Sequence, residues 1–135
     1  MRTLFLLLLI LSGSGLWAQK PGNSFKNPII ISHPDSVQYY EDQYISITGP
    51  VVSTKELMRP EGVIGYLNMF KPYPDNAFDI TIFRKSMAFF APLEQYEGKK
   101  IKITGKVTSF IQKNSGNKRY SIRLTNLKQL EVIEQ

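Results

Sequence analysis

The sequence contains no cysteine, and it has only one histidine and one tryptophan. Without cysteine there is no disulfide, no thiolate nucleophile, no thiolate metal ligand and no site for lipid modification of an N-terminal cysteine. His33 lies beside Pro34 in a predicted loop, so a serine nucleophile would lack a positioned base. Asp75 and Asp79 flank a predicted turn but supply too few oxygen ligands for calcium. We therefore expect no enzymatic activity, no metal site and no cofactor.

The longest apolar run, Leu4–Leu11, is too short to cross a membrane, because a spanning helix needs about 20 apolar residues. It follows a basic start at Arg2 and precedes small residues that end at Ala18. This pattern is typical of a secretory signal peptide, and a membrane anchor is the alternative. The sequence predicts a signal peptide over residues 1–18 and an exported protein, either periplasmic or secreted. Residues 19–28 are polar and contain proline and glycine, which predicts a flexible N-terminus before one domain over residues 29–135.

Basic residues are concentrated toward the C-terminal end. The chain carries a formal net charge of +6. Residues 19–98 hold seven Lys or Arg against nine Asp or Glu, whereas residues 99–130 hold nine Lys or Arg and no acidic residue. Such a block is typical of a solvated face or of a surface that binds an anionic partner, and the sequence leaves both interpretations open.

A nine-residue pattern, I-x-I-T-G-x-V-x-S, begins at Ile45 and again at Ile101. Each copy alternates apolar and polar residues, which predicts a strand with one buried face. Gly49 and Gly105 suit a bulge or a sharp bend, as a strand needs when it curls around a small barrel. The copies are 56 residues apart, too far for a hairpin, and they favour a small closed barrel.

The remaining segments complete an order of elements. Residues 63–70, 78–83 and 118–124 have the alternation of strands, and short helices are predicted at 34–42 and 92–97, each with proline near its start. An apolar tail at 126–133 is expected to pack back on the domain. We predict an all-β fold: a five-stranded OB-fold barrel with a short helix between strands three and four and another before strand one. A β-sandwich is the main alternative, but it requires about seven strands.

Three segments also carry a family resemblance: Tyr66–Pro74, which reads YLNMFKPYP, Phe78–Ile82, and Tyr96–Val107, which reads YEGKKIKITGKV. Together they resemble the bacterial OB-fold domains associated with thermonuclease-like proteins, over about residues 35–133. The chain is also similar in size and layout to small periplasmic bacterial OB-fold proteins. The resemblance implies nucleic-acid binding, assigned in that family largely by fold. It implies no nuclease activity, because no nuclease domain accompanies this one.

OB-folds bind ligands on the outer face of strands two and three, between the loops that join strands one to two and four to five. If Leu67 and Met69 face the core, alternate residues of these strands face outward, and rings there could stack on bases. The alternative, left open, is that other parts of the chain cover these rings. Basic residues near the loop between strands four and five would contact phosphates, whereas the lysines of strand four could simply protect an outer surface against aggregation. The predicted ligand-binding residues are Tyr66, Asn68, Phe70, Lys71, Tyr73, Thr81, Phe83, Lys113, Lys118 and Arg119.

Two functions are compatible with this pattern. The first is an exported, non-catalytic binding module for single-stranded nucleic acid or another anionic oligomer. The second is a module for an envelope oligosaccharide or a protein partner, which predicted export favours. Nucleic-acid binding would weaken steeply with salt, and glycan binding would keep the dependence on aromatic residues while losing most of the salt dependence.

Overall fold

The structure is a computed structural model that describes residues 20–134, so the predicted signal peptide lies outside the described residues. Most of the described chain forms strands joined by short helices. No helix in residues 20–134 combines the length and apolar character needed to span a membrane. The strands are β1 (Ile29–Ile31), β2 (Tyr44–Arg59), β3 (Gly62–Met69), β4 (Asp79–Ile82), β5 (Lys100–Ile111), β6 (Lys118–Arg123) and β7 (Leu130–Glu134).

The five predicted strands correspond to β2 to β6, and they pair in a closed ring. Each strand of the ring contacts its neighbours in the order β2-β3-β4-β6-β5, and β5 pairs again with β2. The β4–β6 pairing is parallel, and the other four are antiparallel. This ring and its connections are OB-fold-like. Two strands extend the sheet beyond the ring: β1 pairs with the start of β2, and β7 pairs with the start of β5.

The two copies of the repeated pattern pair with each other. Ile45 lies opposite Gly105, Ile47 opposite Ile103, and Gly49 opposite Ile101. Each glycine therefore faces the first isoleucine of the other copy, which explains why one pattern serves two distant strands. The isoleucines of both copies are buried in the ring interior.

Close packing accounts for both glycines in the pattern. A Cβ at Gly49 would overlap the ring of Phe70, and a Cβ at Gly105 would lie 2.6 Å from a methyl group of Ile122. Phe70 has a positive φ of 70°, so the chain turns sharply at the end of β3 and lays this ring over Gly49. The strand does bulge nearby, but between Val51 and Ser53 rather than at the glycine.

Helices differ from the prediction in number and type. The predicted helix at 34–42 is a 3-10 helix over Pro34–Tyr40, and the one at 92–97 is a 3-10 helix over Leu93–Tyr96. Between β4 and β5 there is also an unpredicted α-helix, α1 (Arg84–Phe90), so the prediction of a single short helix there was wrong. The helix ends at Phe90, and Ala91 is already extended, because the helical conformation is disfavoured for a residue that precedes proline.

Helix α1 and the 3-10 helix that follows it pack against the ring. Phe90 and Leu93 are fully buried, and a Cβ at Gly65 on β3 would lie 2.6 Å from Leu93 and 2.8 Å from Met87. The absence of a side chain at Gly65 therefore lets the helix approach the sheet. Burial of large apolar side chains such as Phe90 stabilises the fold by about 1.5–3 kcal/mol each.

The two ends of the described chain pack on the sheet. Gly22 N–H donates to the carbonyl of Asn27 (2.7 Å), and Tyr44 N–H donates to the carbonyl of Gly22 (2.8 Å). The predicted C-terminal tail forms a 3-10 helix (Leu127–Gln129) followed by β7. The tail thus extends the sheet rather than only covering its core.

Candidate functional site

A groove crosses the outer face of the ring between two projecting hairpins. We call residues 53–66 of β2 and β3 the first arm, and residues 107–120 of β5 and β6 the second arm. The groove consists of two adjoining hollows of about 270 and 420 Å³ that share Tyr66 and Phe110. The first hollow is lined by Lys55, Leu57, Arg59, Tyr66, Asn68, Tyr73, Asp79, Phe110 and Gln112; the second by Tyr66, Thr81, Phe83, Thr108, Ser109, Phe110, Ser121 and Arg123.

Strand alternation places one side of the first arm toward the groove. After the bulge in β2, Lys55, Leu57 and Arg59 share one face of the strand. Lys55 lies directly opposite Tyr66 of β3. The ring of Tyr66 thus lies beside the exposed cation of Lys55, and the exposed Arg59 lines the same hollow further along the arm.

The second arm contributes an aromatic ring from the opposite wall. Val107 faces the core, so Thr108 and Phe110 face outward on β5, and Gln112, directly after the strand, lines the same groove. Phe110 remains 43% exposed. An exposed ring in a groove is available for contact with a ligand.

Two further aromatic rings are already in contact with arginines. The guanidinium of Arg123 lies 4.1 Å from the centroid of Phe83, and that of Arg119 lies 5.4 Å from the centroid of Tyr73. Gln112 also donates a hydrogen bond to the Tyr73 hydroxyl (2.9 Å). Tyr73 therefore links the loop after β3 to the second arm, and Phe83 with Arg123 forms a composite stacked surface.

A buried polar network forms the floor of the first hollow. Asn76 Nδ2 donates to Asp79 Oδ1 (2.9 Å), to the carbonyl of Phe78 (2.8 Å) and to Asn68 Oδ1 (3.3 Å). Asn68 in turn donates to the hydroxyl of Ser53 on β2 (3.0 Å). These contacts fix the loop between β3 and β4 against β2, β3 and β4, so Asn68 of the YLNMFKPYP segment has a structural role.

The network ends in a buried ion pair. Arg119 Nη2 donates to Asp79 Oδ1 (2.7 Å) and Nε donates to Oδ2 (3.1 Å), which makes the pair bidentate. Arg119 also donates to the side-chain oxygen of Asn76 (3.1 Å) and to the carbonyl of Pro74 (3.3 Å). The side chains of Arg119 and Asp79 are only 12% and 6% exposed. The positive charge of Arg119 is therefore compensated inside the protein by the carboxylate of Asp79.

The ion pair leaves the groove with an excess of positive charge. Asp79 is the acidic residue in the lining, and Arg119 neutralises it. Lys55, Arg59 and Arg123 are exposed and form no ion pair with any carboxylate in residues 20–133. The groove thus combines aromatic surface with three free cations, a combination suited to an anionic ligand with flat apolar groups.

Lys118 belongs to a different surface. It alternates with Arg119 on β6 and contacts Glu41, with Nζ 2.8 Å from Oε1. This contact, together with a hydrogen bond from Ser109 to Glu41 (2.6 Å), lowers the pKa of the Glu41 carboxyl below its usual value, and the same contact raises the pKa of Lys118. Both groups are exposed to solvent.

The predicted ligand-binding residues separate into two sets. Those that line the groove are Tyr66, Asn68, Tyr73, Thr81 and Phe83. Of these, Asn68 and Thr81 are buried, so their contact with a ligand would be limited. Those that do not line the groove are Phe70, Lys71, Lys113, Lys118 and Arg119.

Each residue of the second set has an identifiable environment. Phe70 packs inward over Gly49, although alternation had predicted that it faces outward. Lys71 and Lys113 are exposed in the segments that follow β3 and β5. Arg119 holds the buried network described above. Whether any of these residues contacts a ligand stays a prediction.

Several of the residues that line the groove were not identified from the sequence. The alternation of Lys55, Leu57 and Arg59 was visible, but β2 was expected to end near residue 53. Phe110 and Arg123 follow from the same alternation once β5 is extended by two residues and the outer face of β6 is included. Strand length was therefore the missing information.

No cluster of three or more His, Cys, Asp or Glu side chains that could hold a metal ion occurs within residues 20–134. His33 is exposed at the start of the first 3-10 helix.

Comparison with known proteins supports the fold and no specific family. No protein-family model and no curated protein sequence matches this chain. Among solved structures, RecG bound to a three-way DNA junction is similar over 79% of this chain, with 18% identity and a TM-score of 0.53. Aspartyl-tRNA synthetase from Entamoeba histolytica is similar over 76%, with 12% identity and a TM-score of 0.51. This chain spans only 13% and 21% of the lengths of those two proteins.

A mitochondrial single-stranded DNA-binding protein from S. cerevisiae, Rim1, is similar over 70% of this chain and 99% of its own, with 15% identity. Its TM-score is 0.48. At 18% and 12% identity, the likeness to the first two structures concerns the fold alone.

Proposed function

We propose that this protein is a non-catalytic binding module for single-stranded nucleic acid. The observation that carries the proposal is the groove, in which the rings of Tyr66 and Phe110 lie among the exposed cations Lys55, Arg59 and Arg123. Bases stack on aromatic side chains with about 1–3 kcal/mol each, largely independent of sequence. Lysine and arginine beside the rings would contact the phosphates that link those bases.

Each part of the groove has a role in this proposal. Tyr66 and Phe110 offer rings shared by both hollows, so consecutive bases would stack there. The guanidinium of Arg123 is planar and already stacked on Phe83, and its free face would extend the stack. Lys55 and Arg59 on the first arm would hold the backbone from one side.

The finer fold and location are part of the same proposal. We infer that the ring is an OB-fold barrel of the thermonuclease-associated or small periplasmic bacterial type, on the sequence motif from Tyr66 to Pro74. We also infer export, because residues 1–18 have the pattern of a signal peptide. N-terminal sequencing of the protein recovered from outside the cytoplasm tests the second inference, and a start at Met1 would contradict it.

Fluorescence anisotropy with a labelled single-stranded oligonucleotide at two salt concentrations tests the function. Binding should weaken as salt rises, with a slope of about 0.7 in the logarithm of affinity for each phosphate contact. Tyr66→Ala and Phe110→Ala should each reduce affinity by about 5- to 150-fold, which corresponds to about 1–3 kcal/mol.

Phe89→Ala is the matched control, because Phe89 is a phenylalanine that is 55% exposed on α1 and does not line the groove. It should leave binding unchanged. Absence of binding at low salt would overturn the proposal. An oligosaccharide that binds with the same dependence on Tyr66 but little dependence on salt would identify a glycan module instead.

A further inference from the structure

A third hollow lies on the sheet, outside the groove. Its volume is about 300 Å³, and lysines from three separate elements line it: Lys26 in the N-terminal turn, Lys102 on β5, and Lys128 in the last 3-10 helix. The exposed ring of Phe25 and the carboxylate of Glu131 also line this hollow. We call this surface the basic hollow.

One strand connects the groove with the basic hollow. The outward-facing residues of β5 are, in order, Phe110 and Thr108 in the groove, Lys106 between the two, and Thr104 and Lys102 in the basic hollow. At about 3.3 Å per residue, Phe110 and Lys102 are separated by about 26 Å of strand. A polymer leaving the groove along β5 would therefore meet Lys106 and then the basic hollow.

A second connection holds Lys128 in place near the end of the groove. Gln129 Nε2 donates to the carbonyl of Arg123 (3.1 Å) and to the carbonyl of Thr104 (3.2 Å). The 3-10 helix that carries Lys128 begins with a capping box at Asn126. Lys128 is thus positioned by hydrogen bonds to both β5 and β6.

Protection of a sheet edge does not explain Lys102. Edge strands often carry lysine to prevent pairing with another chain. The relevant part of β5 is not an edge, because residues 100–106 pair with β2 on one side and residues 100–103 pair with β7 on the other. The lysine at 102 therefore needs another explanation.

The basic hollow has a net positive charge, because three lysines and one glutamate line it. Glu131 lies opposite Lys102 in the register, yet none of the three lysines has a carboxylate of residues 20–133 within 4.0 Å. Three ammonium groups around one concave surface attract a phosphate group and require no special geometry to bind it.

We propose that the basic hollow binds the phosphates of the same nucleic-acid strand that occupies the groove, as a second contact reached only by longer strands. The proposal rests on the proposed function. OB-folds bind about 4–16 nucleotides, so a strand of about five would fill the groove and one of about fifteen would continue along β5 to the hollow.

The test compares two oligonucleotides, of five and fifteen nucleotides, with the native protein and with the double variant Lys102→Gln/Lys128→Gln. For the fifteen-mer, the slope of log affinity against log salt should fall by about 1.4, because two phosphate contacts of about 0.7 each are lost. For the five-mer, affinity and slope should not change. In the native protein, the amide NMR signal of Thr104 should shift with the fifteen-mer and not with the five-mer.

Lys85→Glu is the control, since it changes the net charge by the same amount as the double variant but lies on α1, away from both surfaces. If it alters binding as much as the double variant does, net charge alone is responsible and the second site is overturned. An unchanged fifteen-mer slope in the double variant, or an equal effect on both lengths, overturns it as well. If the native protein binds neither oligonucleotide, the proposed function itself fails.

Discussion

Replacing Arg119 by alanine tests whether this residue acts in the fold or on a ligand. The substitution would leave the carboxylate of Asp79, which is 4% exposed, without its partner. Removal of one member of a buried ion pair typically costs about 3–5 kcal/mol, because an uncompensated charge remains in the interior. Asn76 would also lose a hydrogen bond from Arg119. We expect a loss of stability near that range, a large part of the 5–15 kcal/mol typical of a whole domain.

Urea unfolding followed by circular dichroism measures this loss. With a slope of about 2 kcal/mol per molar urea, the midpoint should fall by about 1.5–2.5 M. Lys118→Ala is a control on the neighbouring residue of β6, whose ion pair with Glu41 is exposed to solvent. Its effect should be far smaller, because water and salt screen such pairs.

The reasoning is refuted if Arg119→Ala unfolds at the native midpoint and instead weakens oligonucleotide binding. Arg119 would then be the ligand-contacting residue that the sequence predicted. Asp79→Asn separates the two roles further. It should also destabilise the protein, but it frees a positive charge beside the groove and should therefore strengthen oligonucleotide binding at low salt.

Two other predictions concern packing and pH. Gly49→Ala should destabilise the protein by about 1–3 kcal/mol in urea unfolding, since the new methyl group meets the Phe70 ring, and should cost much less in a Phe70→Ala background. The Glu41 carboxyl, whose folded pKa is lowered chiefly by its hydrogen bond with Lys118, should contribute stability above its unfolded pKa that is lost as pH falls through the folded value. The free energy of unfolding of Glu41→Gln should therefore differ from that of the native protein at neutral pH and become equal to it in acid. Curves of stability against pH that stay parallel for the two proteins would contradict this.

The sequence was sufficient for the parts of the fold that depend on alternation. All five strands of the ring were located, because each shows a period of two with isoleucine, valine or leucine on one face. The repeated pattern correctly indicated two similar strands of a small ring. What it did not indicate is that the two copies pair directly with each other, since pairing depends on how the intervening 56 residues fold.

Elements that depend on tertiary contacts were less predictable. Helix α1 is seven residues long and rich in aromatic side chains, so its local preference for helix is weak. It forms where Gly65 leaves room for Met87 and Leu93, a contact invisible in the sequence. Similarly, alternation placed Phe70 outward, but its positive φ reverses the direction of the chain at that residue.

The same limit applies to the candidate site. Alternation correctly placed Tyr66 and Phe83 at the groove, yet charge alone could not separate a cation free to bind from one already paired. Arg119 and Arg123 are four residues apart on the same face of β6, and the sequence pattern does not distinguish them. The structure separates them, because only Arg119 reaches a buried carboxylate.

This difference between two arginines determines the electrostatics of the groove. Arg119 neutralises Asp79 and so removes the negative charge that would repel a phosphate, while Arg123 remains exposed on the Phe83 ring. Loss of Arg119 would thus weaken anion binding even without any direct contact, because it would restore the charge of Asp79 to the groove. A fall in affinity alone therefore cannot identify a ligand-contacting residue here. Stability must be measured together with binding, since only a residue of the buried network should change both.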